Sequence, residues 1–478
     1  MQQAVRIWPY PLRSLGGAAR DFSVAAAGST KPTMPPCNFT PKPYKGMTYE
    51  DTVKARKDHL VPGMVTYYKK PLLIDQGHMQ WLFDYEGKRY LDLIAGIVTV
   101  SVGHCHPKVN ARAQEQQSKL WHTTNIYMHP TIHQYVKKLA AKMPGNLKVV
   151  YLTNSGGEAN DLAMVMARLY TGSYDIISLK NGYHGAGPYC GGLTALNTWR
   201  FPLAGGFGIH HATTPDVFRG PWGGANCRDS IAQTQRKCNC PEGSCNAANM
   251  YAEQLNDVLK YSCSKKVAAF FAEPIQGVGG TVQHPKTYLK QVYAMVRERG
   301  GLCVSDEVQT GFGRLGTHFW GFEANGVIPD IVTMAKGIGN GYPMGAVVTT
   351  PEIAQVMSSA LHFNTFGGNP VACAVASAVL DVIEEDKLQE NSRKVGDVRG
   401  KGLMLGVEFV KSKKSVEPLP ATEVNEIWER LKDSGVLVGK GGLHGNVFRI
   451  KPPMCITAED VHFAVAVLRQ ALSEVTKK

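Results

Sequence analysis

No apolar run in this sequence approaches the ~18 residues needed to cross a bilayer, which excludes a helical membrane span. The longest candidate, around Leu93–Gly103, is short, β-branched and broken by Thr99 and Ser101, so it reads as a buried strand. Internal repeats are missing, and with them any solenoid pattern. Clean CxxC pairs are missing too. Eleven cysteines, an odd number scattered over 478 residues, argue against a disulfide framework. The one dense cluster, Cys227, Cys238, Cys240 and Cys245, lacks the spacing of a zinc site. It reads as a cysteine-rich surface insertion in a reducing compartment, with zinc the lesser alternative, and no metal is expected.

Acidic residues are absent from the first 20 positions, which carry Arg6, Arg13 and Arg20 among scattered apolar residues. Without a continuous apolar core this is no secretory signal; it fits a mitochondrial transit peptide and places the protein in the mitochondrial matrix. The Asn38-Phe39-Thr40 sequon is discounted for the same reason. Residues 1–70 hold eleven Lys/Arg and four Asp/Glu, so 11 − 4 = +7 of the net +13 lies there. The remainder forms no basic stripe with interleaved aromatics, so no nucleic-acid partner is expected. At 44% hydrophobic and 19% charged, the chain has an ordinary globular composition and the length for two or more domains.

After a proline-rich linker at residues 30–45, short β-like runs surround the turn Asp84-Tyr85-Glu86-Gly87. The middle of the chain then alternates strand and helix. Strands are predicted at Val149–Leu152, Ile176–Leu179, Val267–Ala272, Leu302–Ser305, Ile331–Met334 and Ala346–Thr349. A helix with Tyr288, Leu289, Val292 and Val296 on one face closes at Gly300–Gly301. That is an α/β fold with a mostly parallel sheet. Beyond residue 370 the texture changes to α+β: a helix opened by Pro370, strand-like Leu403–Val410 and Val447–Ile450, and a last helix behind a capping box of Thr457 and Asp460.

Ligands of such sheets bind beyond the carboxyl ends of the strands, so the residues just past each strand are informative. The first strand leads into Ser155-Gly156-Gly157 opening a helix, where backbone amides and the helix dipole suit a phosphate. A tight turn explains that loop equally well. The second strand leads into Tyr183-His184, the third into Glu273, the fourth into Asp306 and the fifth into Lys336. Asp306 closes an apolar strand and needs a cationic partner; a protonated pyridine nitrogen would serve. Lys336, beside an apolar strand and set among Gly337, Gly339 and Gly341, reads by itself as an exposed lysine in a glycine loop. With Asp306 near, it reads as a partly desolvated amine whose lowered pKa favours the neutral form a Schiff base requires. Two other motifs are set aside. Gly311–Gly316 matches GxGxxG, but no long helical pattern opens at its glycines. His104 and His106 resemble a metal pair, but a turn into a helix accounts for them.

Ser305–Arg314 (SDEVQTGFGR) and Thr333–Gly341 (TMAKGIGNG) resemble the class III pyridoxal-phosphate aminotransferases of fold type I, and the likeness runs from about residue 45 to the C-terminus. Pro215–Gly224 and the cysteine insertion are similar to the mitochondrial alanine–glyoxylate subgroup of that family. The resemblance implies a leader and linker (1–45), an N-terminal segment of a small domain (46–120), a large cofactor domain (121–370) and a C-terminal small domain (371–478). It implies that Lys336 forms the Schiff base with pyridoxal 5′-phosphate and then shuttles a proton between substrate Cα and cofactor C4′. Asp306 would pair with the pyridine nitrogen, Gln309 would bond the phenolic oxygen, and Tyr183 would pack on the ring. Ser155, Gly156 and Gly157 would hold the phosphate, with Thr365 reaching it from the neighbouring subunit of a homodimer or homotetramer. Arg449 would bind the substrate carboxylate, with Glu273 able to pair with it when an ω-amino group enters. The implied reaction is ping-pong transamination between alanine or a β-amino acid such as β-aminoisobutyrate and glyoxylate or pyruvate. The alternative is a lyase acting on phosphorylated amines. Two features depart from the family: Gly157 stands where serine is usual, and the stretch Leu388–Val398 is short.

Overall fold

The structure, a computed structural model, describes residues 32–230, 237–241, 243–393, 400–412 and 415–475. The basic leader at residues 1–20 and the end of the short stretch, residues 394–399, lie outside the described residues.

Seven strands form the central sheet: β1 (Val149–Thr153), β2 (Ile176–Leu179), β3 (Ile209–Ala212), β4 (Ala269–Ala272), β5 (Leu302–Asp306), β6 (Ile331–Met334) and β7 (Gly345–Thr349), in the order β1-β7-β6-β5-β4-β2-β3. Only β7 runs against its neighbours, antiparallel to both β6 and β1. Strands β2, β4, β5, β6 and β7 are buried at every position, as expected where helices cover both faces, and this is why they read as unbroken apolar runs. Strand β3 is not among the strands predicted from the sequence. It is an edge strand whose His210 and His211 bond Asp175 and the Gly192 carbonyl, so it carries no apolar run to read.

Helix α1 (Gly156–Thr171) follows β1, α2 (Tyr288–Glu298) precedes β5, and α3 (Pro370–Glu385) follows the sheet. Asn369 caps α3 by accepting from the Ala372 amide at 2.9 Å, and twelve of the helix's Ala, Val, Leu, Ile, Cys and Pro side chains are buried. The segment Gly311–Gly316 opens no long helix, and Pro107 begins the helix Pro107–Lys119.

The run Leu93–Gly103, expected as a strand, is a left-handed turn instead. Ala95, Ile97 and Val98 have φ of 51°, 62° and 66°. Asp92 Oδ1 accepts from the amides of Ile94 and Ala95 at 2.8 and 2.9 Å and so turns the chain out of the preceding strand. The apolar pattern correctly marked burial, but a side-chain acceptor decided the backbone.

Strands Ile74–His78, Trp81–Asp84 and Arg89–Asp92 form an antiparallel sheet that Val436–Leu437 joins in parallel. A further sheet, Gly400–Lys401, Met404–Glu408, Val447–Ile450 and Gly439–Gly441, carries Arg449. The last helix, Ala458–Val475, starts at the expected capping box: Thr457 Oγ1 accepts from the Asp460 amide, and Asp460 Oδ2 accepts from the Thr457 amide.

Beyond β5, Glu307 organises the turn leading to Trp320. Its carboxyl is fully buried and accepts from Thr310 Oγ1 (2.6 Å) and from the amides of Gly321 and Phe322 (both 2.8 Å). Burial pushes its pKa up to about 7 despite those donors. Its contribution to stability is therefore complete below the ordinary 4.5 and lost as pH rises through about 7. Glu307→Gln, which cannot ionise, should gain on the parent by on the order of 3 kcal/mol across that window. Thermal midpoints of both proteins at pH 5–8 check this, and a difference that does not change with pH contradicts it.

Candidate active site

The carboxyl ends of β1, β2, β4, β5 and β6 open on one cavity of about 540 Å³. Ser155, Gly156 and Gly157 line it from the start of α1, Tyr183 and His184 from the loop after β2, Glu273 from the end of β4, Asp306 and Gln309 from the end of β5, and Lys336 from the end of β6. The residues singled out after successive strands thus meet in space.

Asp306 is 3% exposed and fully engaged. Its Oδ2 accepts from Asn160 Nδ2 (2.9 Å) and faces His184 Nδ1 (2.8 Å), while Oδ1 accepts from the Val308 amide (3.1 Å). Burial alone would raise this carboxyl, but the His184, Asn160 and Val308 donors outweigh it and hold the pKa below the ordinary value. Burial likewise depresses His184, and Asp306 more than compensates, so the imidazole is shifted upward. Asn160 completes the set by accepting from Thr333 Oγ1 at 2.7 Å and donating to the His184 carbonyl at 2.8 Å.

Lys336 follows the buried β6 with φ of 47°, a left-handed backbone unusual for lysine. Its turn is pinned from outside: Ser101 Oγ donates to the Gly337 carbonyl at 2.8 Å, and the Val102 amide donates to Asn340 Oδ1 at 2.9 Å. Desolvation lowers the pKa of its amine, with the Arg449 charge adding to the effect and Asp306 and Glu273 opposing it.

At the head of α1, Ser155 caps the helix by accepting from the Glu158 amide at 3.2 Å. The amides of Gly156 and Gly157 come next in the first turn, where a helix offers no acceptor. A Cβ at Gly156 would lie 2.9 Å from Val308, so glycine is required there. At Gly157 it would make only ordinary contacts, so serine would fit, and the departure from the family removes a hydroxyl for no steric reason.

Tyr183 packs edge-on to Trp199 at 5.3 Å, and its amide donates to Glu273 Oε1 at 3.1 Å. Glu273 also accepts from the Gly277 amide at 2.7 Å; burial raises its pKa, and Asp306 adds to that. Gln309 turns its Oε1 to Lys451 Nζ at 3.0 Å. Arg449 does not line the cavity but is buried on the strand Val447–Ile450, where Nη2 donates to the Lys440 carbonyl at 3.2 Å. Its Nε has no hydrogen-bond partner among the described residues. Burial lowers its pKa while Tyr67 and Glu273 oppose the shift. Thr365 is exposed and apart from the cavity of its own chain; its neighbour Asn364 bonds Asn154 and Glu158 beside the α1 loop.

Asn160, His184 and Lys451 were given no role by the sequence. A signal existed for two of them: Asn160 is a polar residue on the buried face of an apolar helix, and His184 directly follows the strand-end tyrosine. The cysteine cluster divides: Cys227 and Cys245 are buried with sulfurs 3.4 Å apart, while Cys238 and Cys240 are half-buried.

The residues present fit pyridoxal 5′-phosphate. An amine with no hydrogen bond or ion pair among the described residues, a carboxylate held ionised and a glycine-walled helix start match its aldehyde, ring nitrogen and phosphate in turn. The chain matches the family "Aminotransferase class-III" over residues 64–472. It is 55% identical over 484 residues to the human mitochondrial alanine–glyoxylate aminotransferase 2, covering 97% of this chain and 94% of that protein. Among solved structures it is similar to an Arthrobacter phospholyase in complex with phosphoethanolamine (TM-score 0.79, 29% identity, 88% of this chain and 99% of that one). It is also similar to an amine transaminase from an uncultivated Pseudomonas species in its PLP-bound form (TM-score 0.76, 28% identity, 87% and 99%). With the family matched from Met64 to Leu472 and the strand-end residues gathered around one cavity, the chain belongs to the class III aminotransferases, enzymes of fold type I that work with pyridoxal 5′-phosphate.

Proposed function

We propose that this enzyme moves an amino group between alanine, or a β-amino acid such as β-aminoisobutyrate, and glyoxylate or pyruvate. The observation that carries this is the desolvated Lys336 amine, without a hydrogen bond or ion pair among the described residues, sharing a cavity with the ionised Asp306. The name of the 55%-identical human relative supplies alanine and glyoxylate, and the family resemblance supplies the β-amino acid and pyruvate. Bound cofactor supplies an electron sink and a reversible carrier for the amino group. Lys336 would bond its aldehyde carbon and later carry the proton between substrate Cα and cofactor C4′. Asp306 would hold the ring nitrogen protonated, Gln309 would donate to the ring oxygen, and Tyr183 would pack on the ring. Ser155, Gly156 and Gly157 would bind the phosphate, and Arg449 would take the substrate carboxylate, with Glu273 able to pair with it.

Thr365 would reach the phosphate of a neighbouring copy in a homodimer. Exposed Ile126, Tyr127 and Met128 (91%) lie in one segment and exposed Leu361, Phe363 and Phe366 (64%) in another, and the His122 and Phe366 rings, 5.5 Å apart, connect the two regions. Such an apolar patch suits a second copy. We assign the protein to the mitochondrial matrix, on the acid-free leader and the mitochondrial names of its relatives. The division at residues 45, 120 and 370 is kept as the domain plan. A lyase acting on phosphorylated amines has less support, since the phospholyase is 29% identical against 55% for the human aminotransferase.

Alanine added without an acceptor should convert the cofactor absorbance to that of the pyridoxamine form, and glyoxylate should restore it. A cofactor band that alanine never moves contradicts this reading. Lys336→Ala should lower turnover by about 10⁴-fold, the upper range for a positioned proton-transfer group. Arg449→Gln should raise KM for the amino acid about 100-fold, the equivalent of ~3 kcal/mol for hydrogen bonds to a charge, with the larger effect in KM than in kcat. Met128→Asp should sediment as a monomer and bind cofactor more weakly; a dimer with unchanged affinity contradicts the shared site.

A further inference from the structure

Lys451 stands just beyond the strand Val447–Ile450, its amide donating to the Leu93 carbonyl at 2.7 Å. Its side chain is 2% exposed. Nζ donates to Gln309 Oε1 at 3.0 Å and to the Gly277 carbonyl at 3.4 Å, both uncharged acceptors, and it forms no ion pair among the described residues. Removing an amine from water for two neutral acceptors costs stability, typically several kcal/mol for a charged group. Desolvation and the nearby Arg449, Lys336 and Arg314 charges disfavour its charged form, and Glu273 opposes them without prevailing. A methionine or leucine would fill the same space without that cost.

The donor inventory shows what the amine achieves there. Charged or neutral, the amine keeps at least two N–H donors, and with these it meets the fixed Gly277 carbonyl and the carbonyl end of the Gln309 amide. Gln309 lines the cavity, and its amide is confined from the other side: a Cβ at Gly277 would lie 2.3 Å from Oε1 and 2.7 Å from Nε2. The amide therefore sits in a slot open only because residue 277 is glycine, with one end held by Lys451. Gly277 is tied in turn to Glu273 through its own amide at 2.7 Å.

We propose that Lys451 is a positioning residue for the cofactor: by donating to Gln309 Oε1 it decides which end of that amide enters the cavity, so that Nε2 is presented as a donor to the cofactor ring oxygen. This rests on the assignment of Gln309 to that oxygen. Left unheld, the amide could offer its carbonyl oxygen instead, which would repel the negative ring oxygen. Lys451 needs no contact with substrate to act.

The test uses reconstituted holoenzyme and reads the pH midpoint at which the bound-cofactor absorbance band changes. Removing a donor to the ring oxygen disfavours the deprotonated, more negative form, so the midpoint should rise. Gln309→Leu and Lys451→Met should each raise it by about one unit, the size of a hydrogen bond to a charge. The double variant should match Gln309→Leu alone, because Lys451 acts through the amide. Gly277→Ala, which pushes the amide out of its slot and leaves Lys451 in place, should raise the midpoint likewise. An unmoved midpoint in Lys451→Met, or a Lys451→Met shift that persists in full in the Gln309→Leu background, overturns the proposal, the latter showing a through-space charge effect. An unmoved midpoint in Gln309→Leu overturns instead the assignment of Gln309. Should Lys451→Met fail to fold, Gly277→Ala with and without Gln309→Leu decides: equal midpoints support the slot, and additive shifts overturn it.

Discussion

A carboxylate at the end of a fully buried strand must be given hydrogen-bond donors or lose its charge, and Asp306 is given them from three elements. Asn160 comes from α1, His184 from the loop after β2, and the Val308 amide from its own turn. Asn160 is itself engaged, reaching both the Thr333 hydroxyl on β6 and the His184 carbonyl. Asp306 also lies opposite Thr333 in the β5–β6 pairing. Satisfying this one group thus ties four segments together, and Lys336 lies three residues beyond Thr333.

The same cavity holds groups driven in opposite directions. Asp306 stays charged because donors outweigh burial, whereas Lys336 is pushed towards its neutral form because burial outweighs the carboxylates around it. Glu273 shares the cavity, yet burial dominates and raises it, since fewer donors reach its oxygens. Such separation of neighbouring ionisable groups is how one site keeps an acid charged and an amine nucleophilic at neutral pH. The left-handed backbone of Lys336, held by Ser101 and Val102 from the turn after Asp92, shows that the lysine is placed by contacts remote in sequence.

The strand Val447–Ile450 returns the end of the chain to the site. Arg449 and Lys451 are two residues apart and share a face, by the alternation of an extended chain. One meets the Lys440 carbonyl and the other the Gln309 amide. A basic pair at this depth is tolerable only beside acceptors, and the Glu273 carboxyl lies within electrostatic reach of both Arg449 and Lys451.

Much of this was legible in the sequence. Strands buried on both faces must be continuous apolar runs, so the five such strands could be read directly, as could half-buried β1, and the residues past the ends of β1, β2, β4, β5 and β6 named the cavity wall. The polar edge strand β3 carried no such run, and Leu93–Gly103 carried one that a bonding aspartate bent into a turn. The partners of the site residues were hidden for a different reason. Asn160 and Asp306 are 146 positions apart, and Gln309 and Lys451 are 142 apart. Local pattern, by itself, determined which residues end strands and which segments are buried, because both are consequences of short-range periodicity. Only the tertiary structure decided which strand ends adjoin, which donor holds each carboxylate and which lysine is desolvated, because strand order and long-range packing are global outcomes that no local window contains.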